Sequence, residues 1–337
     1  MIRLTLLIVV AAGFAGMVLS QESRPMNGPQ VVRLANGEFT ARLNRLKLWY
    51  RVSGSGPVCL FPSPGWGPSS DLYAKTLNRL EQYFTVVYLD TRGSGRSEKP
   101  ADVANYRHDD LSDDLEALRE HLGQKKVWVA GHSEGGWLAA HYALRYPQSC
   151  SGLLLIDSIY AHDADWRKDV AARRERRKSE PWYEEVAKAL ADPHALDSDK
   201  SFTAAITLSL RFSFHDAANI ETLKSAQGAV SLTAFKGRQQ SNKGGAYALK
   251  LEDVHVPTLI VVGASDDRCS PRQAERIHTE IAGSKLLLIE DAGHFPWIEQ
   301  PDRFFEAVER GLSSFGVKRQ DAKSATTRHA GSMGSNG

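Results

Sequence analysis

The residue whose sequence context most clearly suits a chemical reaction is Ser133, which lies in a Gly-x-Ser-x-Gly motif that spans 131–135. The apolar stretch before it, 127–130, has strand character, and the stretch after it, 137–144, has the pattern of a buried helix. A serine in a sharp turn between a strand and a helix keeps its hydroxyl exposed, and that turn needs small residues two positions before and after the serine. The two motif glycines meet this need. The pattern predicts that Ser133 is a nucleophile; a turn serine whose hydroxyl binds local backbone is the alternative.

Candidates for a base and for an acid that orients it follow two later apolar runs. A serine nucleophile needs both groups. The acidic segment 265–267 follows the run 259–262, and His294 follows the run 286–289. The chain order is therefore serine, aspartate, histidine, which is the order expected when the nucleophile stands in such a turn.

The segments that must position these residues alternate between strands and helices. Helices are predicted at 111–122, after two capping acids, and at 271–281, where Ser270 is the cap and a proline starts the helix. Two strands are predicted near the start of the chain, at 31–34 and 46–52. Six continuous apolar runs have the composition of parallel strands buried on both faces: 58–61, 84–89, 127–130, 153–156, 259–262 and 286–289. We therefore predict an α/β fold with a mostly parallel central sheet and with catalytic groups at the carboxyl ends of its strands.

The alternation breaks between 160 and 251, where we expect an inserted helical lid. The stretch 206–214 alternates with a period of two, as a half-buried strand does, but it has no partner strand nearby and a lone strand is unstable. A basic run at 167–178 is either an anion site or, as its helical spacing beside acids indicates, a solvated helix face. From 317 to 337 the chain is polar, and a disordered tail is predicted.

Composition and the N-terminus bear on location and partners. The chain of 337 residues has 42 Lys plus Arg against 40 Asp plus Glu, so charge gives no case for nucleic acid or an anionic membrane. Residues 1–20 combine a positive start, an apolar segment and small residues, which predicts a cleaved secretory signal and a secreted or periplasmic protein; an uncleaved anchor is the alternative. A polar leader follows at 21–30. The three cysteines, Cys59, Cys150 and Cys269, indicate neither a disulfide framework nor a metal site.

These features together resemble the α/β-hydrolase family, from about Val31 to Leu312. The resemblance implies a hydrolase core in two parts, 31–159 and 252–316, with the lid at 160–251 inserted between them. It implies no cofactor. The chain shows no metal-ligand spacing, and cleavage of the signal would leave no membrane association.

The resemblance also implies roles for the candidate residues. Ser133 matches the nucleophile, His294 the general base, and Asp266 or Asp267 the orienting acid. The family's usual glycine three positions before the acid favours Asp266, whereas its usual proline four positions after the acid favours Asp267. We favour Asp266 because the end of the strand fixes its position more directly. Asp157 stands at another place where such folds keep an acid, although a polar residue that ends a strand is the simpler interpretation.

The oxyanion hole of such an enzyme needs two backbone N–H groups directed at the developing charge. The residue after the nucleophile, Glu134, supplies one, and the loop 61–67 is expected to supply the other. The prolines of that loop have no N–H, so Ser63 is the favoured donor and Gly65 the reserve.

Three tryptophans and the side chain of Glu134 are candidates for substrate contact. Trp66, Trp137 and Trp297 would suit an apolar acyl pocket, and core packing is the alternative for each. Glu134 would hold a substrate amine if it reached the pocket. We favour instead that it pairs with a cation or with the N-terminus of its helix.

Within the family, the loops 63–65 and 90–97 resemble those of proline iminopeptidases. The match is incomplete, because that subfamily has His-Gly-Gly-Pro-Gly where 61–65 stands and commonly an aromatic residue where Glu134 stands. The departure weakens the case for an aminopeptidase and leaves the triad unaffected.

The sequence therefore predicts a secreted serine hydrolase that cleaves a carboxylic ester or amide through an acyl-enzyme on Ser133. A carboxylesterase and a proline iminopeptidase-like aminopeptidase are the two leading forms, with a small ester, amide or short peptide as substrate. Lesser alternatives are a ligand-binding protein with vestigial turnover and a cofactor-free haloperoxidase or perhydrolase. Carboxylates that converge on the pocket would favour the aminopeptidase.

Overall fold

The central element of the fold is an eight-stranded sheet, seen in a computed structural model that describes residues 34–242 and 246–320. The strands lie side by side in the order β1-β2-β4-β3-β5-β6-β7-β8. In chain order they are β1 (Gly37–Leu43), β2 (Leu46–Gly54), β3 (Val58–Pro62), β4 (Thr85–Leu89), β5 (Val127–His132), β6 (Cys150–Ile156), β7 (Thr258–Gly263) and β8 (Lys285–Ile289). β2 is antiparallel to β1 and to β4, and all other neighbours are parallel. The predicted mostly parallel sheet is confirmed.

The inner parallel strands are buried on both faces, which is why their sequences are continuous apolar runs. Every residue of β3, β4, β5 and β7 is buried. Alternate side chains enter two separate core clusters: Leu60 and Val129 belong to one, Phe61 and Trp128 to the other. Each of the six predicted runs therefore coincides with one of the strands β3 to β8.

The first strand is not where the sequence pattern placed it. Of the predicted strand 31–34 only Leu34 lies in the described part of the chain, and it is outside any strand. β1 pairs instead with β2 through a two-residue turn in which Asn44 and Arg45 have φ of 46° and 69°. Two successive positive φ angles define a type I′ hairpin turn, whose twist matches that of the strands it joins. The turn lacks the glycine that usually marks it, so this hairpin had no clear sequence signal.

Helices cover both faces of the sheet. In chain order they are α1 (Asp71–Thr76), α2 (His108–His121), α3 (Glu134–Arg145), α4 (Ala164–Glu175), α5 (Tyr183–Ala191), α6 (Asp199–Ser209), α7 (Ile220–Ala226), α8 (Leu232–Asn242), α9 (Pro271–Glu280), α10 (Pro296–Glu299) and α11 (Pro301–Ser313). Side chains of α2, α3 and α9 enter one core cluster, and those of α1 and α11 enter the other. α2 starts three residues before its predicted start, so the two expected capping acids lie in its first turn. α9 starts at Pro271 with Ser270 as its N-cap residue, as predicted, but the Ser270 hydroxyl donates to Asp169 and makes no capping hydrogen bond.

The insertion between β6 and β7 is helical, as predicted, and contains α4 to α8. The ambiguous stretch 206–214 forms the end of α6 and a 3₁₀ turn at Leu210–Ser213. Phe202, Ala205 and Ser209 are the buried residues of α6, and their spacing is that of one helix face. The alternation within 206–214 therefore did not correspond to a strand.

The topology brings the predicted site residues to one edge of the sheet. β5 leads to Ser133, β7 to the acidic loop and β8 to the loop of His294. β5, β6, β7 and β8 are neighbours and run parallel, so the loops that follow them meet at their carboxyl ends.

Both ends of the chain carry predictions that fall largely outside the described residues. The proposed signal at 1–20 and leader at 21–30 lie there, as does 321–337 of the predicted tail. The first tail residues pack on the body: Val317 is buried, and Gln320 N donates to Gln82 O at 2.7 Å. Within the described ranges, no helix combines the length and apolar character needed to cross a bilayer.

Candidate active site

Ser133 occupies a strained turn between β5 and α3. Its φ of 59° and ψ of −126° are unusual for a residue with a side chain, and such strain concentrates at functional sites. The turn is possible because a Cβ on Gly131 would lie 2.1 Å from Gly135 O. A Cβ on Gly135 would make ordinary contacts at 3.6 Å, whereas one on Gly136 would lie 2.5 Å from Ser158 Oγ. The second tight position is therefore Gly136 and not the motif glycine that the sequence pattern indicated.

His294 and Asp266 form a buried pair. His294 Nδ1 lies 2.7 Å from Asp266 Oδ2, so the ring donates to the carboxylate and leaves Nε2 to accept a proton. Asp266 Oδ1 accepts from Arg268 N at 2.6 Å and from Cys269 N at 3.0 Å. Burial alone would raise the pKa of Asp266, but His294 and these N–H groups outweigh it and lower that pKa below its usual value. An ionised Asp266 fixes the tautomer and the orientation of His294.

Asp267, the alternative acid, contacts the lid instead. Its carboxylate lies 3.4 Å from Arg177 Nε and 4.0 Å from Arg173 Nη1. Arg173 also donates to Asp266 O at 2.8 Å. The basic run 167–178 is therefore only partly a solvated face, because two of its arginines attach the lid to the acidic loop.

The Ser133 hydroxyl is half-buried and lies beside a thiol. Ser133 Oγ is 3.9 Å from Cys269 Sγ, and among the described residues no hydrogen bond joins it to His294. Contacts between a serine and its base are often long without substrate and tighten when it binds. Burial raises the pKa of Cys269 well above its usual value, so its thiol stays protonated.

Two further buried groups surround the pair. His132 Nε2 donates to His294 O at 2.8 Å, which holds the base loop against the nucleophile turn. Asp157 Oδ1 accepts from Gly263 N at 2.9 Å. Burial, followed by the charge of Asp266, raises the pKa of Asp157 well above its usual value. Burial thus favours the protonated form of Asp157, which supports the acidic loop from below, and no hydrogen bond joins it to His294 within the described part of the chain.

Donor atoms of Asp266, Cys269 and His294 lie within 4.8 Å of one another, a spacing that a metal ion would accept. Asp266 and His294 already satisfy each other, and a thiol that keeps its proton is a poor metal ligand. The arrangement suits proton transfer better than metal binding.

The predicted oxyanion donor Ser63 is in the wrong place. Its N–H donates to Leu89 O at 2.9 Å, its hydroxyl lies 2.8 Å from Thr91 Oγ1, and it is fully buried. The loop continues the pairing of β3 with β4 by one residue, and this uses the N–H. Pro64 has no N–H, and Gly65 and Trp66 follow it. Among the described residues, none accepts a hydrogen bond from the backbone N–H of Gly65 or Trp66.

A cavity of about 570 Å³ lies between the sheet and the lid and opens onto Ser133 and His294. Trp66 lines it, with Leu210 and Phe235 of the lid. Trp137 does not: it is 1% exposed, donates Nε1–H to Tyr247 O at 2.7 Å and stacks on His141. The prediction that Trp137 contacts substrate is wrong, because its position on α3 faces the core. Trp297 is also a core residue.

Glu134 lines the cavity but is already paired. Its carboxylate contacts the guanidinium of Arg238 from α8, and His108 Nε2 lies 3.7 Å from it and also contacts Arg238. Burial alone would raise the pKa of Glu134, but the charge of Arg238 and the contact with His108 lower it to about 2. Burial lowers the pKa of His108 to about 4, so its ring is neutral beside the ion pair.

Removal of the Glu134 charge is expected to destabilise the protein strongly. Glu134→Gln removes the carboxylate that pairs with the buried Arg238, and breaking a buried pair in this way costs about 3–5 kcal/mol. Because the pKa of Glu134 is lowered to about 2, the contribution is complete above the unfolded value of 4.5 and is lost as the pH falls toward 2. Urea unfolding of the variant and the wild type from pH 7 to pH 3 measures this difference.

The matched control is Glu185→Gln, which removes a carboxylate that is 56% exposed and pairs with Arg211. Its effect is expected to stay below about 1 kcal/mol. Equal effects of the two substitutions at pH 7 would contradict the buried-pair interpretation.

Several cavity residues carried no signal in the sequence. Arg268 and Cys269 line the cavity two and three positions after Asp266, and only this proximity could have marked them. Arg238 meets Glu134 across 104 positions of chain, from a helix without a recognisable motif.

Comparisons with known proteins agree with this architecture. A family model described as the alpha/beta hydrolase fold matches residues 57–301. A proline iminopeptidase of Saccharolobus solfataricus is 29% identical over 272 residues, which cover 77% of this chain and 86% of that protein. A solved α/β-fold hydrolase of Bacillus anthracis superposes with a TM-score of 0.66 at 22% identity, over 82% of this chain and 99% of the other. A thermophilic esterase of Thermogutta terrifontis gives 0.58 at 22% identity, over 82% and 98%. The chain belongs to the α/β-hydrolase fold family and is similar to its proline iminopeptidases, which supports a hydrolase activity.

Proposed function

We propose that this protein is a serine hydrolase that cleaves a carboxylic ester through an acyl-enzyme on Ser133. The observation that carries the proposal is the convergence of three groups: Ser133 in its strained turn, His294 on the same cavity, and Asp266 at 2.7 Å from His294 Nδ1. Such an arrangement supplies a nucleophile, a base and an orienting acid.

The proposed reaction uses these groups in two halves. His294 Nε2 takes the proton of Ser133 Oγ as the oxygen attacks the substrate carbonyl, and then gives it to the leaving alcohol. Water, deprotonated by the same nitrogen, then attacks the acyl carbon; the bond from this carbon to Oγ breaks, and His294 returns the proton to Ser133 Oγ as the acid leaves. The backbone N–H of Glu134, together with that of Gly65 or Trp66, is proposed to bind the oxyanion.

The charge distribution of the cavity favours an ester over a peptide with a free amine. Among the described residues that line the cavity, Glu134 is the one carboxylate, and it is paired with Arg238. An aminopeptidase needs a carboxylate free to bind the substrate ammonium group. The similarity to proline iminopeptidases supports that activity as the second candidate.

A side-by-side rate comparison tests the proposal. We expect the wild type to hydrolyse 4-nitrophenyl butyrate and to act far more slowly on proline 4-nitroanilide, with ester turnover lost in Ser133→Ala. Comparable kcat/KM values on both substrates, both lost in the variant, would establish the aminopeptidase instead. Ester turnover that persists in Ser133→Ala would overturn the proposal.

A further inference from the structure

Arg268 is a guanidinium group held at the wall of the catalytic cavity. Its Nε donates to Ser213 Oγ at 2.8 Å and its Nη2 to Ser209 Oγ at 3.2 Å, both from the lid. Its backbone is fixed at both ends, because its N–H binds Asp266 and its carbonyl accepts from Trp166 Nε1 at 2.8 Å. The group is therefore rigid, and it lines the same cavity as the proposed nucleophile.

The two serines accept hydrogen bonds from the Arg268 guanidinium, but they carry no negative charge that would balance it. No carboxylate of the described chain lies within 4.0 Å of the Arg268 guanidinium. The negative charge of Asp266 favours the charged form of Arg268, but that carboxylate is already hydrogen-bonded to His294. Arg268 is partly buried, and a charge removed from water is costly unless an anion pairs with it. Arg268 lacks such a partner within the described protein.

The wall of the cavity as a whole also has more cationic than anionic side chains. Among the described residues that line the cavity are three arginines, Arg167, Arg238 and Arg268, and one carboxylate, that of Glu134. Glu134 and Arg238 cancel each other. The net charge of the wall is therefore positive, which favours an anionic ligand.

Hydrogen bonding gives the ligand's chemistry. An arginine has five N–H donors, and the two serine contacts use two of them, so the remaining donors include both on Nη1. A planar guanidinium with free donors matches the two oxygens of a carboxylate. Cys269, the next residue, lies 3.9 Å from Ser133 Oγ, and Arg268 lines the same cavity as Ser133.

We infer that Arg268 binds a carboxylate of the substrate, so that the preferred ester carries a negative charge a few atoms from the scissile bond. The inference rests on the proposed ester hydrolysis and adds the substrate class to it. A purely structural role, in which Arg268 only joins the lid to the acidic loop, would give no preference between charged and neutral esters.

Two matched pairs of esters test this inference. On the acyl side, 4-nitrophenyl hydrogen glutarate is compared with its methyl ester; on the alcohol side, 4-acetoxybenzoate is compared with its methyl ester. We expect the wild type to prefer the anionic member of at least one pair by about tenfold or more in kcat/KM, as a charged hydrogen bond would give. Arg268→Gln is expected to bring this ratio close to one, mainly through KM, and Arg268→Lys to retain part of it.

Arg176→Gln is the matched control. Arg176 is an exposed arginine of the lid, and it does not line the cavity. It is expected to keep the ratio. If Arg268→Gln does not fold, Ser213→Ala replaces it: loss of the hydroxyl that holds Nε should lower the ratio severalfold, and an unchanged ratio would contradict the inference.

The outcomes separate the two proposals. Hydrolysis of neutral esters at least as fast as that of their anionic partners in both pairs would overturn the role of Arg268 and leave the serine hydrolase intact. An unchanged preference of Arg268→Gln for the anionic ester would also overturn the role of Arg268 and leave the serine hydrolase intact. Absence of Ser133-dependent hydrolysis of all four esters would overturn both.

Discussion

Ser133→Ala is expected to lower kcat for the preferred ester by roughly 10⁵- to 10⁶-fold while KM changes little. Without Oγ there is no atom on the strained turn that can form the acyl-enzyme, and His294 and Asp266 have no hydroxyl to activate. The cavity and the N–H groups remain, so substrate still binds and a residual rate above that in water persists. Initial rates with wild type and variant at equal, saturating substrate measure the effect.

Ser265→Ala provides the control. Ser265 lies in the acidic loop, does not line the cavity and bonds His215 through its hydroxyl at 2.8 Å. Its removal is expected to change kcat by less than about tenfold, because no reacting atom touches it. A Ser133→Ala variant that keeps a tenth or more of wild-type kcat would contradict the assignment of the nucleophile.

Asp266→Asn is expected to lower kcat about 10⁴-fold, the second largest effect. An amide in place of the carboxylate neither stabilises the imidazolium that forms on His294 nor requires its proton to stay on Nδ1. In the wrong tautomer, Nε2 of His294 carries the proton. It then cannot accept the proton of Ser133 Oγ. The measurement is kcat from pH 6 to pH 9, together with a thermal melt to show that the fold is kept.

Asp267→Asn is the neighbouring control for this prediction. Asp267 contacts Arg177 and Arg173 of the lid and not His294, so its change is expected to lower stability and to leave kcat within about tenfold. Equal losses of kcat in the two variants would show that the loop is arranged differently. A larger loss in Asp267→Asn would identify it as the acid.

The strands that build the site could be predicted because burial on both faces leaves a simple sequence signature. The run before Ser133 and the run before His294 both matched their strands. The β1–β2 hairpin could not be predicted, because Asn44 and Arg45 adopt left-handed angles without a glycine. The conformation there accompanies the pairing of β1 with β2, which runs from Leu43 opposite Leu46 to Gly37 opposite Val52.

The site was predictable where it depends on a strand end and not where it depends on the lid. The strand end led to Asp266 rather than Asp267, and in the structure Asp266 lies beside His294 while Asp267 lies beside arginines of the lid. Ser63 failed as a donor because its N–H extends the sheet pairing to Leu89, a contact that no local pattern encodes. Arg238 approaches Glu134 only once the lid has folded over the sheet.

Covalent labelling tests the central claim most directly. Protein treated with a 4-nitrophenyl alkylphosphonate ester is examined by intact mass and peptide mapping, and its residual esterase activity is measured in parallel. We expect one adduct per chain on the peptide that contains Ser133, with activity lost in proportion to labelling and no adduct in Ser133→Ala. An adduct on another residue such as Cys269, or full activity with Ser133 labelled, would contradict the proposed mechanism.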